Sequence, residues 1–347
     1  MALFLDGPIP LSATATYTQN IPTPSNLAFS NWFGRKEFTT DTVDFATIIK
    51  TNRAARYRNW DGAPWVSARD TGKQDRVKML PLSATLSQGE YERRQQEFAQ
   101  YGGTLQQLLV DAVYNDLDSL TMQVFNRLEL AWGDALADGV LEINENGVYQ
   151  AVDFGIPAKH IVAPSVLWSD TTNSKPLTDL VAWSDQYEKT NGTYQGRFAT
   201  SRTVIRLLQR NQEIINAVHG AAAGRTRVNL SEMNDLFASE GLPPITTESE
   251  YNSNFDVDDV STRVLPENKL LFLPDNPDAL GFTAWGTTTT AMELARNKVE
   301  LETASGIVGA IEREEGFPYR KHTYVDAVAL PIIADARKLL VADVIAA

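Results

Sequence analysis

Three histidines, His160, His219 and His322, are the side chains of this 347-residue chain best suited to proton transfer near neutral pH. They stand far apart, and none belongs to a His-x-x-x-His spacing. Each therefore reads as a structural histidine rather than a metal ligand or a catalytic base. Asp256, Asp258 and Asp259 open like a calcium loop, in which alternating carboxylates would wrap a hard cation. Ser261 stands where that loop needs glycine, so the stretch reads as a solvated acidic turn. The run Glu312-Arg313-Glu314-Glu315 reads as a solvated face. There is no cysteine, which excludes disulfides, thiolate zinc sites and cysteine nucleophiles. Neither a glycine-rich phosphate loop nor a GxSxG elbow is present. The chemistry-bearing residues predict no catalytic site, no metal site and no cofactor.

A different kind of site is visible where cations and indoles mix. From residue 50 to 78 eight Lys and Arg face three Asp, a surplus of five in a chain whose net charge is −13. The remaining chain then carries −18. This segment also holds Tyr57, Trp60 and Trp65, with turn signals at Asp61-Gly62 and Asp70-Thr71-Gly72. Residues 48–86 read as a long β-hairpin with little core of its own. Such a hairpin is either simply solvated, or docks on an acidic surface of another subunit, or binds nucleic acid through its Arg and Trp side chains. The candidate contact residues are Arg56, Arg58, Arg69, Lys73, Arg76 and Lys78, with Trp60 and Trp65 as apolar anchors.

Several elements must carry that hairpin. Residues 1–36 form an arm in which Pro8, Pro10, Pro22 and Pro24 favour extended chain. Its Leu27, Phe29, Trp32 and Phe33 need a surface to lie on, either the chain's own body or a neighbour. Residues 89–101 suggest a short polar helix. Thr104 with Gln107 then forms a capping-box pattern. Apolar residues recur at helical spacing from Leu105 to Leu136, and Gly139 ends the run. A helix over 104–138 is on the order of 50 Å long, a spine for a flat body. Asn146-Gly147 between two alternating runs predicts a tight hairpin. Helical patterns follow over 177–189, 201–219 and 231–240. Strand-like runs lie at 242–247, 255–264, 269–274 and 281–287, then at 323–333 and 338–345. The class is α+β.

Composition limits the function. The acidic balance disfavours general nucleic-acid binding, which depends on cationic contacts with phosphates. No 18-residue apolar run exists, and the first residues lack the basic region of a signal peptide. The expectation is a soluble protein made inside the cell, with no membrane partner. A reaching arm, a basic hairpin, a spine helix and segregated charge together predict a subunit that assembles with copies of itself.

At the level of motifs, Phe38-Thr39-Thr40-Asp41-Thr42-Val43 after the aromatic arm resembles the N-terminal signature of the phage major capsid protein E family, the lambda-like group. Leu271-Phe272-Leu273-Pro274-Asp275-Asn276 followed by Leu280-Gly281 resembles its internal motif. Val152-Asp153-Phe154-Gly155 and Ala329-Leu330-Pro331-Ile332-Ile333 are similar in kind, and the order of elements agrees along nearly the whole chain. The motifs are short; their order and the total length carry the likeness.

The resemblance implies a Hong Kong 97-type phage capsid fold. It places the N-terminal arm at 1–36, the E-loop at 48–86, and the peripheral domain at 87–172 with the spine helix at 104–138. The axial domain falls at 173–287, and 288–347 returns to the peripheral domain. The implied function is a major capsid protein, a head-shell subunit forming pentamers and hexamers of an icosahedral shell around double-stranded DNA without sequence-specific binding. The arm's immediate start implies a separate scaffolding protein; a portal is implied as well, with room for a decoration protein. The implied location is the virion, after assembly in the host bacterial cytoplasm. Lys73 and Lys78 lie in the hairpin, but nothing in the sequence supplies partners for a lysine crosslink. An encapsulin-like compartment shell, a tail or baseplate protein and a soluble α+β enzyme are the alternatives.

Overall fold

The computed structural model describes residues 2–3, 9–49, 57, 60, 71–91, 105–192, 196–221, 224–301, 305–314, 316, 318 and 320–346. Its centre is a 34-residue helix, Leu105–Asp138. Val113, Leu117, Leu120, Val124 and Leu128 are buried in one apolar cluster. Ala131, Trp132, Ala135 and Leu136 continue the stripe into a second. This is the 3–4 spacing of one helix face. Gly139, with φ of 81°, ends the helix as expected. Thr104 lies outside the described residues.

The strands are β1 (Ala2–Leu3), β2 (Arg35–Glu37), β3 (Thr42–Ile49), β4 (Thr71–Lys78), β5 (Pro81–Gln88), β6 (Val140–Glu145), β7 (Val148–Asp153) and β8 (Ile161–Val162). They continue as β9 (Gly196–Thr200), β10 (Asn254–Val257), β11 (Val260–Arg263), β12 (Lys269–Pro274), β13 (Gly281–Trp285), β14 (Ile307–Arg313), β15 (Lys321–Ile333) and β16 (Leu340–Asp343). One sheet runs β1-β14-β15-β13-β2, with β5 also on β15, and the long helix packs across it. A second runs β8-β16-β12-β9. It lies against helices Pro176–Asn191, Arg202–Arg210, Gln212–His219 and Leu230–Ser239. β12 is apolar on both faces because it separates two cores: Leu270 and Phe272 enter the helical one, Leu271 and Leu273 the other.

Two strands cross the expected division at 173–287 and 288–347. β13 pairs with β15 in the first sheet, whereas β16, near the chain end, pairs with β12 in the second. The arm also differs from an extended chain. Helices α1 (Leu11–Asn20) and α2 (Ala28–Trp32) lie within it. The prolines bracket α1: Pro10 is its N-cap, and Pro22 and Pro24 follow its end, positions where a missing N–H costs nothing. Leu11, Thr14, Ala15 and Thr18 bury α1 against the body.

Other expectations shift locally. The helix expected over 201–219 is two helices, because Asn211 ends one and caps the next by accepting from Glu213 N. The run at 242–247 is not a strand. β9, β14 and helix Thr289–Arg296 come without a sequence expectation. Asn146 and Gly147, both at positive φ, close β6–β7 as expected. Of the helix expected at 89–101, residues beyond 91 lie outside the described set.

Candidate assembly interface

The basic hairpin exists, but with different ends. β3 pairs antiparallel with β4 from Thr42↔Lys78 to Ile49↔Thr71. β5 leaves it to pair with β15, so the hairpin spans 42–78 rather than 48–86. Pro81 and the alternating pattern after it belong to the main sheet, a pairing partner 240 or so residues away that local sequence does not announce. Val43 and Val77 at the base are buried, and Met79 beside them fills the same core. Among the side chains described in β3 and β4, those two are the buried ones.

The expected contact residues fall into three groups. Arg56, Arg58, Trp65 and Arg69 lie outside the described residues, as does the side chain of Lys73, whose backbone pairs with Thr47. Trp60, in a turn, is 96% exposed, and Tyr57 is fully exposed. Arg76 and Lys78 project into solvent from β4. Arg76 binds Asp44 across the hairpin through Nε at 2.7 Å and Nη2 at 3.2 Å. That hydrogen bond holds the Asp44 carboxyl below its ordinary range. The Lys78 carbonyl accepts from Gln150 Nε2 at 3.0 Å, tying the hairpin base to β7.

Phe33 is placed inside the chain's own core, stacked on Trp132 at 3.6 Å between centroids, so a neighbour does not reach it. Trp32 is half-buried, with the Arg197 guanidinium 4.1 Å from its ring centre. The arm thus lies on its own body along α1 and α2.

What fixes it there is Glu129, which sequence reasoning missed. Its fully buried carboxylate accepts from Phe29 N at 2.8 Å, from Ser30 N at 2.7 Å and from the Ser30 hydroxyl. The Tyr251 hydroxyl donates to the same carboxylate. Burial, then the Glu129 charge, pushes the Tyr251 phenol well above its ordinary pKa. One carboxylate so joins the arm, the long helix and the segment before β10. The available signal was a glutamate set into the apolar stripe between Leu128 and Trp132. Such a residue needs buried partners.

Two recesses lie nearby. An apolar one of about 150 Å³ opens among Leu82, Leu128, Ile143, Val148 and Leu330. A polar one of about 440 Å³ lies between Trp32, Arg197, Glu248 and Asn252. His160 is buried and bonded to Leu339 O and Thr190 Oγ1, in keeping with a structural histidine.

The family model for phage major capsid protein E matches residues 12–344. The chain belongs to the phage major capsid protein E family. Solved structures agree on the fold. A prophage protein of Escherichia coli CFT073, assigned as a capsid protein, superposes with a TM-score of 0.61 at 16% identity over 95% of both chains. A phage-related protein from Bordetella bronchiseptica RB50 gives 0.52 at 13% identity, over 96% of this chain and 95% of the other. No curated protein matches in sequence. The architecture of this capsid protein is the Hong Kong 97-type fold.

Proposed function

We propose that this capsid protein is the head-shell subunit, assembling with itself into pentamers and hexamers of a closed icosahedral shell around double-stranded DNA. The observation that carries the reading is the β3–β4 hairpin. It extends eight residue pairs from a base anchored by Val43 and Val77, and it carries the basic surplus of an acidic chain. A two-stranded hairpin is marginal by itself in water, so it gains order by lying on a partner. A neighbour's acidic surface suits its charge. Arg56, Arg58, Arg69, Lys73, Arg76, Lys78, Trp60 and Trp65 are the proposed contacts, with Arg76 exchanging or sharing Asp44. Trp32 contributes only through its exposed edge.

The long helix and first sheet serve as the peripheral domain, and the second sheet with its helices as the axial domain. A net charge of −18 outside residues 50–78 keeps phosphate from adhering where it faces packaged DNA. A separate scaffolding protein and a portal, with room for a decoration protein, complete the assembly in the bacterial cytoplasm. The role is structural, without catalysis.

Electron microscopy of the protein, alone and co-expressed with any adjacent scaffold gene, tests this. Closed shells or five- and six-membered rings support it, and a compact monomer under both conditions refutes it. Arg56→Glu with Arg58→Glu should abolish shells while the circular dichroism spectrum is unchanged. Shells filled with protein cargo rather than DNA would favour a compartment.

A further inference from the structure

A ring of five or six identical subunits needs two different surfaces per copy, because each copy meets one neighbour head to tail. The structure holds two such surfaces of opposite charge. On helix Arg202–Arg210, Val204, Ile205 and Leu208 face the core. Arg202, Arg206 and Arg210, four residues apart, form one exposed row on the opposite side. Arg202 is held by Glu250. Among the described residues, Arg206 and Arg210 have no carboxylate within ion-pair distance. Three unshared or half-shared guanidinium groups in a row are conspicuous in a chain with a pI near 4.8.

The second surface is the β10–β11 hairpin. Asp256, Asp258 and Asp259 are exposed there, and Asp258 and Asp259, with φ of 51° and 63°, form its turn. None of the three has a cationic partner among the described residues. Val260 beside them is 63% exposed. The hairpin rests on a different core from the arginine helix, through Phe255 and Val257. Among the described residues, Arg206 and Arg210 of the row and the three aspartates of the turn are thus left uncompensated inside one copy.

We infer that the arginine row of one copy docks on the aspartate turn of the next copy in the same ring, forming the head-to-tail contact of the pentamer and hexamer. This rests on the shell reading above and adds the partner surfaces within a ring. Charge complementarity selects the register, and the rigid row and the tight turn require no refolding to meet.

The test uses full-length protein in the assembly reaction, followed by electron microscopy and sedimentation. Arg206→Glu/Arg210→Glu makes both patches acidic, and Asp256→Lys/Asp259→Lys reverses the turn. Each alone should lower the assembled fraction by about tenfold or more, since like charges then face each other. Mixed together they should restore six-membered rings to within about twofold of wild type. Five-membered rings should stay absent, because strict alternation cannot close an odd ring. Asp258→Asn/Asp259→Asn, which keeps side chains that tolerate positive φ, should weaken assembly with an unchanged circular dichroism spectrum, so loss of fold is not the cause.

If the wild type assembles and both reversed variants assemble equally well, the docking is wrong and the shell reading survives. If the mixture fails while each variant is folded, the two patches are not partners. Variants that assemble normally but retain less double-stranded DNA would overturn the proposal by assigning the arginine row to phosphate. A wild type that never assembles defeats the shell reading itself.

Discussion

Between Val113 and Leu136 the long helix buries an almost unbroken stripe against a sheet and the arm, and its own buried carboxylate, Glu129, holds the arm in place. The β3–β4 hairpin has Val43 and Val77 buried at its base, with Asp44, Arg76 and Lys78 exposed beside them. On the proposed reading, the two regions separate stability from assembly. Apolar area removed from water, roughly 25 cal/mol per Å², stabilises the helix within the monomer. On the proposed reading, the hairpin gains its order from a neighbour. Substitutions on the helix should therefore change folding, and substitutions on the hairpin should change association.

Trp132→Ala should have the largest effect. It removes a fully buried indole, its stack on Phe33 and its bond to Thr283 Oγ1 at 3.0 Å. A loss of about 3–5 kcal/mol in denaturant unfolding is expected; a loss under about 1 kcal/mol would break the contrast. Glu129→Ala strands two backbone N–H groups and two hydroxyls, and should cost about 3 kcal/mol. Limited proteolysis should then cut near residue 30, well before global unfolding.

Gly133→Ala sharpens the same comparison. A Cβ there would sit 2.1 Å from the Val264 carbonyl oxygen. Overpacking costs about 1–3 kcal/mol, against roughly 1 kcal/mol of better helix propensity, so a net loss is expected. A stabilised variant would show that the helix and the Val264 segment separate freely.

Asp326 gives a smaller, pH-dependent effect. Burial raises its carboxyl pKa, opposed by the Thr290 hydroxyl at 2.8 Å. Its folded pKa exceeds the unfolded value, so the folded state binds the proton more tightly. Stability then falls as pH rises from about 3.9 through the folded value. Asp326→Asn should raise the thermal midpoint at pH 7 and leave it unchanged at pH 3. Equal shifts at both values would exclude burial of the charge as the cause. At the far end, Arg76→Ala should leave monomer unfolding unchanged, because its pair with Asp44 is solvent-exposed, yet should reduce assembly.

Local signals determined much of this protein by themselves. The helix over 105–138, its glycine stop, the Asn146-Gly147 hairpin and β12 follow from periodicity and turn chemistry, which act within a few residues. The basic surplus of residues 50–78 and the absence of catalytic motifs needed no coordinates. Short motifs in a fixed order were enough to suggest the family. Tertiary structure decided the rest, because pairing and burial are long-range. β5 left the hairpin for a partner near residue 325, and β16 joined a sheet begun by β8. Prolines that locally disfavour helix instead bracketed α1, once α1 had a surface on which to bury Leu11 and Ala15. Phe33 became core because Trp132 was in place to receive it. The arginine spacing and the aspartate cluster are local in sequence, but that both patches stand exposed, on elements resting on different cores, was decided by the fold.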